Sequence, residues 1–557
     1  MPEAVPDRRH LPPRTPSGNR GCGFCRPSPC EGRMKPRLLR IGTAAVWFFV
    51  LAARAADPYT ASEPAQPRGE LDRLVFGRLQ ELGLRPAPPC SDAVFLRRVY
   101  LDVIGTLPTA EEVRAFLEDR QPDKHAALIE RLLAREEFTD YWALKWGDLL
   151  RVKAEFPINL WPNAAQAYHR WIRTSLRENK PYDRFVRELL TASGSNFRDP
   201  PVNFYRAVPG RTPDSIARAV ALTFMGVRTD RWPSNRVAGL AACFAYVDFK
   251  PTGEWKEEIV FHNPASPRAD RWVGPDRRAV LPDGTALWLT PEQDPRVAFA
   301  DWLVRADNPW FTAAIVNRIW AWLLGRGLVH EPDDFRPDNP PVHPAVLQYL
   351  QHQLVRAGYD LKHVFRLILN SATYRQSCVP VAPLTRAAAH FACYPVRRLE
   401  AEVLLDALNQ VTGAADSYTS PIPEPFTVMP AGTRAITLPD GSITSPFLEL
   451  FGRSARDTGL ESERNLRSTA AQRLHLLNAS QVLRKIEQSP LVEGVSRPHL
   501  HPPQVAETLY LTVLSRFPTG TEQQMVARYL QTAGSRREAV VDLVWALINT
   551  AEFVHRH

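Results

Sequence analysis

The segment His330-Glu331-Pro332-Asp333-Asp334 gathers three carboxylates and an imidazole within five residues. Oxygen-rich groupings of this kind hold hard cations, and paired carboxylates serve general acid–base work. Asp338-Asn339-Pro340-Pro341 and His343 come soon after and extend the same polar surface. Pro332 keeps the segment off a helix, so it reads first as a polar connector whose carboxylates accept backbone N–H groups. No metal is assigned to it. On the preceding helical stretch Asn317, Arg318 and Trp320 can present polar groups toward the connector, as can Arg326 between two glycines. A buried pairing of Arg318 or Arg326 with Asp333 or Asp334 is the preferred alternative, because a guanidinium matches a carboxylate two bonds at a time. The candidate binding set is therefore Asn317, Arg318, Trp320, Arg326, His330, Asp333, Asp334, Asn339 and His343.

A reaction is harder to read. Were Asp333 and Asp334 the acid and base of an enzyme acting on a polysaccharide, they would have to point apart, since glycosidic cleavage sets its two carboxyls about 5 to 9.5 Å from each other. That reading ranks below a binding role, electron transfer ranks third, and no catalytic residue is assigned. No G-x-S-x-G elbow, P-loop, dinucleotide fingerprint or H-E-x-x-H helix occurs. Arg397 and Arg398 beside Glu400 and Glu402 read as a solvated helical face with i,i+4 partners. Most of the tryptophans lie on helical stretches and read as core side chains rather than a carbohydrate platform.

Amphipathic helices must position these groups. Apolar residues recur at helical spacing over 70–84, then from Ser91 through Phe95, Val99, Leu101 and Val103, and onward to Phe224. These make an N-terminal helical domain, 69–249, after a Pro-rich linker at 56–68. Residues 250–294 turn to prolines, glycines and short alternating runs such as 258–262 and 286–290, a connector with short strands. Helical periodicity resumes over 295–557, broken at 412–446 by a stretch rich in Pro, Gly, Ser and Thr and too polar for a core. The expected fold is mainly α: a multi-helical, two-domain protein with a small irregular or β connector.

One phrase occurs twice. Val99–Glu112, VYLDVIGTLPTAEE, and Leu509–Glu522, LYLTVLSRFPTGTE, share Tyr, Leu, Val, Pro, Thr and Glu at a constant offset. Each reads as a helix end, a turn fixed by proline, and an N-cap threonine answered three residues later by glutamate. A second phrase downstream of each copy repeats as well, LLAREEF at 132–138 against LINTAEF at 547–553, with LILNSATY at 367–374 as a third relative. The helix-turn-helix joint is thus duplicated, and the two copies are expected to pack together or share one geometry, with Pro108 and Pro518 in equivalent turns.

The net charge of +9 does not imply nucleic acid. Residues 1–55 hold ten Lys/Arg against three acids, leaving the remainder nearly balanced at 59 to 57, and phosphate binding needs a basic face. Met34 opens a cationic stretch, an apolar run and Ala53-Arg54-Ala55. This is the pattern of a secretory signal, expected over 34–55, and the apolar run is shorter than the ~20 residues a membrane span requires. The protein is expected to be exported, periplasmic or extracellular, touching the membrane only before cleavage. Residues 1–33, with the Cys22-Gly23-Phe24-Cys25 thiols, sit upstream and are expected to be no part of the native protein. Cys90, Cys243, Cys378 and Cys393 remain; Cys378 and Cys393 could pair, or all four could be buried thiols.

The ordered phrases FLRRVYLDVIGTLPTAEE, EFTDYWALKWGDLLR and PVNFYRA resemble the planctomycete cytochrome-C-associated domain (domain of unknown function 1549). NPWFTAAIVNRIWAWLLGRGLVHEPDDFRPDNPPVHP, GYDLKHVFRLILNSATYRQS, VRRLEAEVLLDALNQVTG and QRLHLLNAS resemble the planctomycete-specific domain (domain of unknown function 1553) that comes after it. The resemblance spans roughly residues 70–557 and implies an exported protein working with another exported protein of the same system. It also leads one to expect a haem-attaching CxxCH between a phrase like FMGVR and one like DRW, and a CxCE before the HLLN helix. Here Arg228 runs through Thr229 into Asp230-Arg231-Trp232, and the second position reads Leu460-Glu461-Ser462-Glu463. The expectation for this chain is an exported helical scaffold or binding protein with no cofactor and no haem. Its ligand is unknown, with a polysaccharide the runner-up partner.

Overall fold

The computed structural model describes residues 58–61 and 63–557. The signal-peptide reading, the Met34 start and the Cys22–Cys25 thiols lie outside the described residues. Among those described, 25 α-helices account for the architecture, with three small antiparallel sheets beside them. None of these helices is long and apolar enough to cross a membrane.

The two copies of the joint have the same geometry. Helix Asp92–Val103 ends into Gly105 at φ 62°, and Thr109 caps helix Ala110–Glu118 in a capping box with Glu112. Helix Pro502–Leu514 ends into Ser515 at φ 60°, and Thr519 caps helix Gly520–Thr532 with Glu522 in the same box. Gly105 has no choice of side chain, since a Cβ there would stand 2.7 Å from the Tyr141 ring. Ser515 bears the left-handed turn with its hydroxyl accepting from Arg97 at 3.2 Å. Arg97, on the first joint's helix, also donates to the carbonyls of Val513 and Phe553, so the copies are bonded to each other as well as alike.

A cation bridge is repeated with its residue moved. In the first copy Arg135 joins Glu112 at 2.9 Å to Glu137 at 2.6 Å and lies over the Tyr100 ring. In the second, Glu522 and Glu552 stand where Glu112 and Glu137 do, and the arginine joining them over Tyr510 is Arg516, from the turn itself. The third relative keeps the local bonds: Tyr374 N donates to Ser371 Oγ as Phe553 N donates to Thr550 Oγ1.

Both sequence domains share one core, running from Leu71 to Phe553, and the described residues form one compact unit. The connector supplies strands Val247–Pro251 and Glu258–His262, paired antiparallel with Gly194–Ser195, and the hairpin Arg278–Val280 with Ala286–Trp288. Two expectations need correction. Arg397 and Arg398 are not a solvated helical face. They form a strand paired with His555–Arg556, and Arg398, Glu400 and Glu402 are buried, because partners for these charges arrive from distant segments. The 412–446 stretch is polar in composition, yet Ile436 and Leu438 are fully buried and Asp440 is nearly so, since its carboxylate satisfies backbone at Ala154 and Ser442. Cys90, Cys243 and Cys393 are buried free thiols, so the Cys378–Cys393 disulfide is not formed. Burial pushes the Cys243 thiol up to about 12, as suits a small apolar side chain.

Candidate functional site

Where helix Glu136–Leu149 meets helix Ala401–Thr412, a group of charges is sealed inside the molecule. Arg464 donates to Asp148 at 2.7 Å and to Glu402 at 2.5 Å, while Arg456 reaches the other Asp148 oxygen at 3.0 Å. The Arg456 guanidinium packs where Gly147 leaves room; a Cβ at Gly147 would stand 3.0 Å from its central carbon. Glu400 accepts from Lys145 and from the Tyr141 hydroxyl at 2.8 Å. Asp102 accepts from Arg397 at 2.8 Å and from the hydroxyls of Tyr374 and Tyr394. Each ion is paired and hydrogen-bonded, which is the condition for keeping a charge out of water.

Beside this network lies a cavity of about 190 Å³. Its wall is made by Lys145, Glu400, Arg397 and Arg464 from the network, by Trp322 and the turn Gly325-Arg326-Gly327, by His330, Glu331 and Pro332, and by Glu461, Ser462 and Leu466. Its two interior carboxyls are shifted in opposite directions. Burial works to raise Glu400, but Lys145, Arg556 and Arg464 outweigh it and hold the carboxyl well below the usual range. Glu461 is raised by burial, with Asp333 adding to the shift and Lys145 opposing it. Glu461 accepts from the Trp322 indole at 2.9 Å. Arg326 is half-buried, and no acidic side chain pairs with it among the described residues; its Nε is buried without a hydrogen-bond partner. Burial lowers its pKa, and both burial and Arg326 lower that of His330.

The residues anticipated from the sequence divide. Arg326 and His330 line the cavity. Arg318 and Asp333 form a buried pair at 2.8 Å, with 0% and 1% of their side chains exposed. Arg318 also donates to the carbonyls of Leu222 and Thr223, and the second Asp333 oxygen accepts from Glu461 N at 2.6 Å. This pair anchors the loop 330–334 from behind. Asp334 pairs with Arg336 at 3.0 Å, and Asn339 ties the loop to itself through the carbonyls of His330 and Asp334. Asn317 is buried and exchanges two bonds with the Val329 backbone. Trp320 is buried with its ring edge-on to Phe391. His343 precedes helix Pro344–Arg356, buried, with Nε2 3.1 Å from the His390 carbonyl. Apart from Arg326 and His330, none of the anticipated residues lines the cavity.

Lys145, Glu400, Glu461 and Arg464 were missed as site residues. One signal was visible: a lysine and an aspartate inside the aromatic run Tyr141-Trp142-Ala143-Leu144-Lys145-Trp146-Gly147-Asp148, where every position is buried. The two places where cysteines are expected from the resemblance meet at the same loop. Arg228, immediately before the place where the CxxCH is expected, pairs with Glu331 at 2.6 Å, and Glu461, within the stretch where the CxCE is expected, is bonded to Asp333.

Residues 70–231 match the family model PSCyt2, protein of unknown function (DUF1549), and residues 295–530 match PSD1, protein of unknown function (DUF1553). No curated protein and no solved structure matches the chain.

Proposed function

We propose that this chain, which belongs to the two-domain family joining DUF1549 to DUF1553, is an exported binding protein without haem, whose cavity receives an anionic group of its ligand. Arg326 carries this reading. A half-buried guanidinium without an acid loses hydration and gains no partner, and a carboxylate or sulfate in the cavity would supply one with charge-assisted hydrogen bonds. Calorimetric titration with glucuronate and with inorganic sulfate tests it. Arg326→Ala should weaken binding at least tenfold, about 1.4 kcal/mol or more, while leaving the unliganded melting temperature unchanged or higher. Equal affinity in the variant would refute the site.

Export rests on the 34–55 leader, and the partner is proposed to be another exported protein of the same system. Absence of haem rests on the sequence between Asp57 and His557, where no CxxCH occurs. Produced with a working haem-attachment system, the protein should show no Soret band, and a covalent haem adduct by mass spectrometry would overturn the reading.

A second reading, an enzyme acting on a polysaccharide, is favoured by the opposite shifts of Glu400 and Glu461 in the wall of one cavity, since carboxyls driven apart in pKa divide acid and base roles between them. Asp333 and Asp334 are too committed to Arg318 and Arg336 for that task. If reducing ends are released from any glycan in a panel, Glu461→Gln should lower the rate at least about a hundredfold. Unchanged release in that variant would remove Glu461 from the chemistry.

A further inference from the structure

Outside the set of cavity residues, three separate segments bring aromatic rings together at the surface. Trp161 precedes helix Pro162–Arg177, Trp255 lies in the turn between strands Val247–Pro251 and Glu258–His262, and Phe426 belongs to the 412–446 stretch. Trp161 and Trp255 meet edge to face with ring centres 4.7 Å apart, and Phe426 lies 5.5 Å from the first and 6.3 Å from the second. Trp255 is 63% exposed, and Phe156, five residues before Trp161, is 80% exposed. The Lys256 amine sits 5.2 Å from the Trp161 ring centre and 5.7 Å from that of Trp255.

Exposed aromatics at a loop tip are ordinarily loose, but this one is braced. Thr252 is bonded to Glu257 through both backbone and hydroxyl, Ser195 Oγ donates to Glu257, and the Asn196 amide donates to the Lys256 carbonyl. Two of the residues are held in left-handed backbone that bulky side chains avoid: Trp161 at φ 73° and Lys256 at φ 62°. Such strain costs about 1–3 kcal/mol per residue and persists where a fixed side-chain placement is retained for use. The 412–446 stretch that gives Phe426 also forms a groove of about 690 Å³, with Asp416, Ser417, Thr419, Ser420, Glu424 and Thr427 among its walls.

We infer that the Trp161–Trp255–Phe426 cluster and the adjoining groove form a binding site for a neutral pyranose polysaccharide. The aromatic faces offer the apolar, flat contact that a pyranose ring's C–H face requires. Hydroxyls and carboxylates in the groove exchange hydrogen bonds with sugar hydroxyls. Glu424, with no cation paired to it among the described residues, disfavours acidic chains, while Asp416 is held by Lys485; single-stranded nucleic acid also stacks on aromatics but tracks a basic groove. The site is independent of the Arg326 cavity.

The test is calorimetric titration of the purified protein with cellohexaose, xylohexaose and mannohexaose, with polygalacturonate and oligo-dT as charged controls and neutral phosphatidylcholine vesicles as a lipid control. At least one neutral hexasaccharide should bind saturably, with Kd on the order of 10⁻⁴ M, and Trp255→Ala should weaken it at least about tenfold. Because Trp255 is exposed, that variant should keep its melting temperature, and Arg326→Ala should bind the hexasaccharide normally. No binding by any of the three neutral sugars, binding undiminished in Trp255→Ala, or binding confined to polygalacturonate, oligo-dT or vesicles would each overturn the proposal.

Discussion

Arg464→Ala should destabilise the protein by about 3–5 kcal/mol, the cost of breaking a buried ion pair from one side. The guanidinium serves two carboxylates at once, Asp148 and Glu402, on helices from opposite sequence domains. Burial works to lower its pKa, but these acids and Glu400 hold it well above the ordinary arginine value. Its removal strands Asp148 with Arg456 alone and leaves Glu402 facing only Arg453 at 3.3 Å. Arg464→Lys should recover part of the loss, since an ammonium cannot reproduce the two-sided fork. The surface pair Arg73–Glu70, with side chains 65% and 45% exposed, is the control, and Arg73→Ala should cost less than about 1 kcal/mol. Urea denaturation measures both, and a small loss in Arg464→Ala would mean that the network is not what joins the halves.

Mild acid should weaken the fold through its buried histidines. Burial holds His169 down to about 3, with Arg456 adding to the shift, and holds His343 and His557 down to about 4. Each is at most 9% exposed. An unfolded histidine takes up its proton near pH 6.5 while these remain neutral, so the unfolded state binds more protons between about pH 6.5 and 4. Stability therefore falls as pH falls through that window, by about 2 kcal/mol per histidine at pH 5. Asp406 acts in the opposite sense: burial pushes it up to about 6, so its neutral form returns about 1 kcal/mol over the same descent. The net loss from pH 7 to 5 should be on the order of 4–5 kcal/mol. Denaturation midpoints across that range test the sum, and His169→Gln should flatten the slope. A flat profile in the parent protein would show that these histidines are hydrated.

Helix periodicity, capping boxes and the duplicated joint were legible because each is local. A cap closes over three residues and an apolar stripe over four, so Thr109 with Glu112, and Thr519 with Glu522, announce their turns without reference to anything distant. The strand at 258–262 was legible for the same reason. Two candidates, Arg326 and His330, reached the cavity because they flank one loop. Arg397, Arg398, Glu400 and Glu402 were misread because four adjacent charges carry an amphipathic signature whether water or other ions receive them. Their partners come from distant segments: Arg464 lies 316 residues from Asp148, and Lys145 lies 255 from Glu400.

The moved bridge shows the same division. The sequence alone determined that Glu112 and Glu522 begin equivalent helices, but only packing decided that Arg135 in one copy and Arg516 in the other would close them. A charge can be answered from any segment that reaches it. So too with Trp161, Trp255 and Phe426, separated by long stretches of chain and brought within 6.3 Å of each other at the surface. Local backbone preferences fixed the helices, the joint and the connector; burial, ion pairing and the cavity beside Arg326 depended on which distant side chains the tertiary fold placed opposite one another.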